Sequence, residues 1–133
     1  MRGVDSNVIV RFLVGDDAKQ AERARALIGR EPVFVPRTVL LEVEWVLRSV
    51  YDQPPARIIP ALRALGGLPG VTIETAELVA RAMIWAEAGM DFADALHLSA
   101  AKDCSAFATF DRKFARAAAR AAAGAAGIPV AAP

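Results

Sequence analysis

The sequence predicts an α/β fold, a sandwich of helices around a short parallel sheet. Three observations predict it. Short apolar runs, V-F-V at 33–35, V-T-I at 71–73 and A-F-A-T at 106–109, read as strands. Between them lie longer segments whose apolar residues recur at helical spacing. Glycine and proline interrupt the chain where one segment gives way to the next. Strands alternating with helices imply a parallel sheet covered by those helices.

Taken in order, Gly3 to Asp5 reads as the end of a short strand. Ser6 to Val14 follows as a helix, with Val8, Ile9, Phe12 and Leu13 on its apolar side and Gly15 as its stop. Asp16 or Asp17 can cap the next helix, Ala18 to Ile28, which buries Ala21, Ala24, Leu27 and Ile28 and ends at Gly29. The strand V-F-V-P is closed by Pro36, and Arg37 to Tyr51 is the most strongly patterned helix, broken by Pro54 and Pro55. A helix from Ala56 to Leu65 runs into the turn G-G-L-P-G before V-T-I, and Thr75 is placed to cap a helix from Ala76 to Ala88. After Gly89 come a helix from Phe92 to Asp103, the strand at 106–109, and a last helix opened by Asp111 and reaching about Ala123. I-P-V at 128–130 is a small final strand weakened by its proline. The Ala-rich stretch from Ala115 to Ala126 packs closely but buries little surface.

The length of 133 residues suits a single domain, spanning 1–133, with a core that needs no staples. Hydrophobic residues make up 55% of the chain, an excess expected to cover a partner in part. No apolar run approaches the roughly 18 residues of a membrane span, and M-R-G-V-D places a charge where a signal peptide is apolar, so a cytoplasmic location is expected. A lone Cys104 agrees with a reducing compartment and has no zinc-ligand partners at the usual spacing. The net charge of +1 excludes a broad basic field. The cations are 13 Arg and 3 Lys, a bias that suits phosphate recognition but is explained in larger part by a GC-rich genome.

Against this background four acids stand out: Asp5 in V-D-S-N-V, Glu42 in L-L-E-V-E-W, Asp94 in D-F-A-D-A-L-H-L and Asp111 in T-F-D-R-K-F. Asp5 and Asp111 each follow a strand and precede a helix, the edge of a parallel sheet where ligands bind; both also suit a helix N-cap. Ser6 and Asn7 can cap as well, so the cap does not require Asp5. Glu42 has Thr38, Val39, Trp45 and Val46 as helical neighbours, an apolar face with no ionic partner, whereas Glu44 pairs with Arg48 at i,i+4 and is expected at the surface. Asp94 sits in a nearly charge-free run, and Asp91 is open between a cap and an outer ligand. His97 faces Asp94 at i+3 and is kept out of the catalytic set.

Convergence of these acids is tolerable only around a cation. Carboxylate oxygens without His or Cys select Mg²⁺ or Mn²⁺, ions that keep waters and reach phosphate oxygens. Asp5 and Asp94 are the first candidates for metal ligands, with Glu42 and Asp111 further ones. Asn7 and Thr109 can position ligands or water. A metal-activated water attacking phosphorus in line is the reaction such a set supports.

The four motifs, in this order, resemble the PIN domain, and most closely the VapC-type toxin ribonucleases of toxin–antitoxin pairs. The resemblance runs from about Val4 to Val130. It implies a PIN-like three-layer sandwich, with Asp5, Glu42, Asp94 and Asp111 as the family's acidic quartet, Asn7 and Thr109 as supporting polar positions, and Asp91 as an acid found in part of the family. The implied activity is Mg²⁺- or Mn²⁺-dependent RNA endonuclease cleavage, restrained by a cognate antitoxin protein, in a chain that pairs as a homodimer. Candidate phosphate contacts are Arg11, Arg112, Lys113 and Arg116; a solvated basic face explains each equally well. The rival readings are another carboxylate-based phosphoesterase, a DNA nuclease, and a binding module without activity.

Overall fold

The computed structural model describes residues 1–121 and 128–133. The last residues of the helix expected to reach Ala123, and the end of the Ala-rich stretch at Ala126, lie outside the described residues. The chain forms two compact units, Met1–Ala76 and Glu77–Pro133.

The first unit holds β1 (Arg2–Gly3), α1 (Ser6–Val14), α2 (Ala18–Arg30), β2 (Val33–Val35), α3 (Arg37–Ser49), α4 (Pro55–Gly66) and β3 (Val71–Ile73). Its sheet has the order β1-β2-β3 and both pairings are parallel, with Arg2 opposite Val33 and Val33 opposite Val71. The central strand carries Val33 and Val35, both without exposed surface, as a strand covered on both faces requires. α1 packs on α2 and α3, and α3 on α4. The buried stripe of α3 is Leu40, Val43 and Leu47; such burial stabilises by about 1.5–3 kcal/mol per side chain.

The strands are shorter than their ladders. Beyond β1 the Val4 amide donates to the Phe34 carbonyl, and beyond β3 the Glu74 amide donates to the Val35 carbonyl, so pairing runs to the residue before Asp5 and past Ile73. The first strand is Arg2–Gly3 rather than a strand ending on Asp5, because Asp5 is already the N-cap of α1. Gly15 closes that helix in the left-handed conformation, as expected of a glycine stop. Gly29 does not end α2. The helix runs through it to Arg30, and the cost of one glycine, about 1 kcal/mol, is small against the burial of Ala24 and Ile28.

One cap was not visible in the local sequence. Pro36 precedes α3 and offers no side-chain acceptor, so the Arg37 amide donates instead to Glu74 Oε1 at 2.9 Å, from the end of β3. A second cluster ties the far end of α1 to the loop after α3: Arg11 donates to Asp16, Gln20 and Tyr51, and the Tyr51 hydroxyl donates to Asp16 at 2.8 Å. The Tyr51 hydrogen bond, ahead of the attraction to Arg11, holds the Asp16 carboxyl below its ordinary range against the opposing cost of desolvation.

The second unit holds α5 (Ala76–Glu87, opening at the boundary), α6 (Phe92–Ala100), β4 (Phe107–Ala108), α7 (Arg112–Ala121) and β5 (Val130–Ala131). Thr75 does not cap α5: it sits at φ +48° and its hydroxyl donates to the Glu74 carbonyl. α6 stops at Ala100, short of Asp103, because the amides of Ala101 and Lys102 bond three residues back and tighten the chain into turns. Fully buried Ser99 donates its hydroxyl to the Leu78 carbonyl at 2.7 Å, joining α6 to α5. β4 and β5 pair in parallel, Phe107 opposite Val130. Pro129 lacks an N–H and contributes only its carbonyl, which accepts from Phe107, so the strand proper begins one residue later. No described helix is long and apolar enough to cross a membrane.

Candidate active site

In the first unit, Asp5 stands at the carboxyl end of β1 as the N-cap of α1, where Oδ1 accepts from the Val8 amide at 3.2 Å. The cap uses one carboxylate oxygen and leaves the other without a hydrogen bond among the described residues. Asn7 is exposed in the first turn of the same helix. Glu74, at the carboxyl end of β3, is a further acid on this edge of the sheet that the sequence pattern did not single out. Its role as a cap for α3 depends on β2–β3 pairing, which no local motif reveals.

Glu42 corrects the sequence expectation. It is exposed, while Glu44 is buried at 5%. The inward stripe of α3 is Leu40, Val43, Glu44 and Leu47, an i, i+3, i+4, i+7 series in which Glu44 takes a core position. The face with Val39 and Val46 only flanks that stripe. Glu44 is tolerated there because Arg48 Nε donates to it at 2.9 Å, with the Arg48 side chain 41% exposed and able to remain hydrated. Glu42 therefore lies on the exposed face with Thr38 and Trp45, available to a ligand at no cost of burial.

In the second unit, two acids act on a third, Asp94. Asp91 is the N-cap of α6, its Oδ2 accepting from the Asp94 amide at 3.1 Å. Asp94 occupies the third helical position, where an acid can return the bond and close a capping box. It does not: among the described residues no hydrogen bond reaches the Asp94 carboxylate. Burial first, then the charges of Asp91 and Asp111, push the Asp94 carboxyl above the ordinary carboxylate range, and exposed His97 offsets this only in part. Asp111, after β4, caps α7 by accepting from the Lys113 and Phe114 amides at 2.9 and 3.1 Å. Thr109 Oγ1 accepts from the Asp111 amide at 3.0 Å and sets that turn.

The donor chemistry fits a hard divalent ion. Asp94 is a carboxylate that its own surroundings disfavour, Asp91 and Asp111 are all-oxygen neighbours, and the single imidazole that acts on Asp94, His97, falls short of the nitrogen and sulfur set zinc favours. Among the described residues no three acidic, His or Cys side chains are already gathered tightly enough to chelate one. Asp94 is the centre of this group.

A family model described as the PIN domain matches residues 4–120. The chain belongs to the PIN domain family. PIN domains are generally nucleases and typically use divalent metals, so the acids stand in a metal-dependent nuclease fold. No curated protein and no solved structure matches the chain. The PIN match runs through both units and takes in all four acids.

The candidate phosphate contacts divide. Arg11 is engaged by Asp16, Gln20 and Tyr51, and the Tyr51 bond first of all pushes its guanidinium pKa further up. Arg112, Lys113 and Arg116 are exposed on α7, and none has a side-chain partner among the described residues. Asp111 lies one residue before the first of them.

Proposed function

We propose that the chain is a divalent-metal-dependent endoribonuclease, the toxin member of a type II toxin–antitoxin pair, working as one catalytic domain over residues 1–133. The observation that carries the reading is Asp94: a carboxyl raised by burial and by two acidic neighbours, without a hydrogen bond among the described residues to offset it, in a chain of the PIN domain family. Perturbed acids of this kind cluster at functional sites. Asp5, Glu42, Asp94 and Asp111 form the proposed acidic set, with Asp5 and Asp94 the principal ligands and Asp91 an outer one.

When bound, Mg²⁺ or Mn²⁺ supplies an activated water and offsets charge on the leaving oxygen. The residues of the chain do the rest. Asp94 and Asp111 present carboxylate oxygens from helix starts whose geometry their own backbone bonds fix. Thr109 holds the Asp111 turn, and Asn7 offers an exposed amide to the substrate phosphate or its water. Arg112, Lys113 and Arg116 hold the phosphate backbone. Exposed Val50 and Ile84, 64% and 59% accessible, are apolar surface that an antitoxin or a second copy can cover.

The test is incubation of purified, antitoxin-free protein with RNA, DNA and a phosphomonoester, each with Mg²⁺, Mn²⁺ or EDTA. EDTA-sensitive cleavage of RNA is expected, lost in Asp5→Asn and Asp94→Asn. Cleavage that persists in either variant, or activity on the phosphomonoester alone, overturns the proposal.

A further inference from the structure

The segment F-A-T-F-D-R-K-F contains three phenylalanines with different fates. Phe107 on β4 and Phe114 on α7 stack, ring centroids 5.0 Å apart and planes 9° from parallel. Phe110 takes no part in that pair. It is 86% exposed, the most accessible of the large apolar side chains described, and it immediately precedes Asp111. Leaving a phenyl ring in water forgoes the burial that its two neighbours obtain. The segment that presents it is held on both sides: the Thr109 amide donates to the Ala131 carbonyl, Thr109 Oγ1 accepts from the Asp111 amide, and Asp111 caps α7. Phe110 therefore projects from a fixed turn.

We infer that Phe110 is a stacking surface for an unpaired nucleobase, adjacent to the phosphodiester that the acidic set addresses. In the chain Phe110 is followed directly by Asp111 and by the exposed cations Arg112 and Lys113. An apolar aromatic face beside side chains that hold phosphate is the combination that recognises single-stranded nucleic acid, in which bases stack on rings while the backbone follows positive charge. An apolar protein partner explains the ring but not the two unpaired cations in the next two positions. The first unit repeats the pairing of acid and aromatic: on the exposed face of α3, Trp45 is 53% accessible and lies three residues, one helical turn, from Glu42. The inference rests on the nuclease reading and adds to it a residue that holds the base. Phe110 is a positioning residue for the base and takes no part in the bond cleavage itself.

The experiment measures binding, with EDTA present, of a labelled oligouridylate and of the same strand annealed to oligoadenylate, using the full chain. Phe110→Ala is expected to weaken single-strand binding about tenfold, equivalent to about 1.4 kcal/mol, and to leave duplex binding unchanged. Phe110→Trp restores the affinity and Phe110→Leu does not, since stacking needs a ring. The inference is overturned if the wild-type chain does not bind the single strand. It is equally overturned if Phe110→Ala binds as wild type or loses single strand and duplex alike, or if Phe110→Leu rescues as well as Phe110→Trp. Conversion of a dimer to a monomer by Phe110→Ala overturns it as well and assigns the ring to a contact between copies. Cleavage assays on the same proteins separate the two ideas: a chain that binds by stacking yet cuts nothing loses the nuclease reading alone, and a chain whose Phe110→Ala variant cuts with unchanged KM loses the stacking alone.

Discussion

The candidate acids of the two units are held in opposite electrostatic conditions. In Met1–Ala76, Asp5 and Glu42 are exposed, and the one buried carboxylate, Glu44, has an arginine bound to it. In Glu77–Pro133, Asp94 is half-buried, its carboxylate without a hydrogen bond among the described residues, and Asp91 and Asp111 add repulsion. A carboxylate that serves structure is satisfied by the chain itself, as Glu44 is by Arg48. One that is left unsatisfied in partly buried surroundings marks where an external cation has most to gain. The difference places the stronger functional signal in the second unit.

The largest effect expected is on activity. Asp94→Asn should lower kcat at least about a hundredfold, the upper end of what is lost with an outer partner of a metal ligand, and Asp5→Asn should match it in initial-rate assays with Mg²⁺. If Asp94→Asn loses activity and Asp5→Asn does not, the proposed set with Asp5 as a principal ligand is overturned, and the second unit alone keeps a functional acid.

Next in size is a contrast in stability along α3. Arg48→Ala leaves a carboxylate that is 5% exposed without its partner and should cost about 2–3 kcal/mol by denaturant unfolding. Glu42→Gln should remain within about 0.5 kcal/mol of wild type, as surface substitutions do, while losing cleavage. A destabilised Glu42→Gln would remove the distinction between the structural and the functional acid.

The cap of α6 supplies a smaller difference. Asp91→Ala should cost about 1 kcal/mol through the lost bond to the Asp94 amide, whereas Asp91→Asn keeps a capping oxygen and should cost a few tenths. Retained activity in Asp91→Asn would make Asp91 a cap alone; a large loss would make it an outer ligand.

Smallest is the pH dependence of Asp94. Its folded carboxyl lies above the ordinary value of 3.8, so a cost in stability grows as the pH rises past the unfolded pKa and is complete above the raised folded one. The cost is absent below the unfolded pKa. Asp94→Asn in EDTA should therefore melt higher at pH 7, with the difference closing as the pH is lowered through the folded pKa. A gap that widens in acid would mean that Asp94 is stabilised by a partner rather than strained.

Most of this architecture was legible because period and punctuation agreed. Ser6–Val14 and Val71–Ile73 are the very segments that spacing predicted. What failed was non-local. Glu42 and Glu44 exchanged places because neighbours at i±3 and i±4 describe a helix face without saying which face meets the sheet; the full series from Leu40 to Leu47 carried that information. Thr75 has the chemistry of a cap but not the backbone conformation, which is fixed where β3 ends. Glu74 caps a helix 37 residues away and had no local signature at all. At the candidate site, the acids themselves were visible in the sequence, whereas the raised Asp94 carboxyl depends first on burial, then on Asp91, and then on Asp111, seventeen positions further on and after an intervening strand.

The bond from the Thr109 amide to the Ala131 carbonyl turns a two-residue strand pair into a reporter. Short pairs fray, and each opening frees that amide for exchange with solvent. The exchange rate of the Thr109 proton therefore counts how often the turn carrying Phe110 and Asp111 comes loose, and a ligand gripping that turn should slow the count before any chemistry is observed.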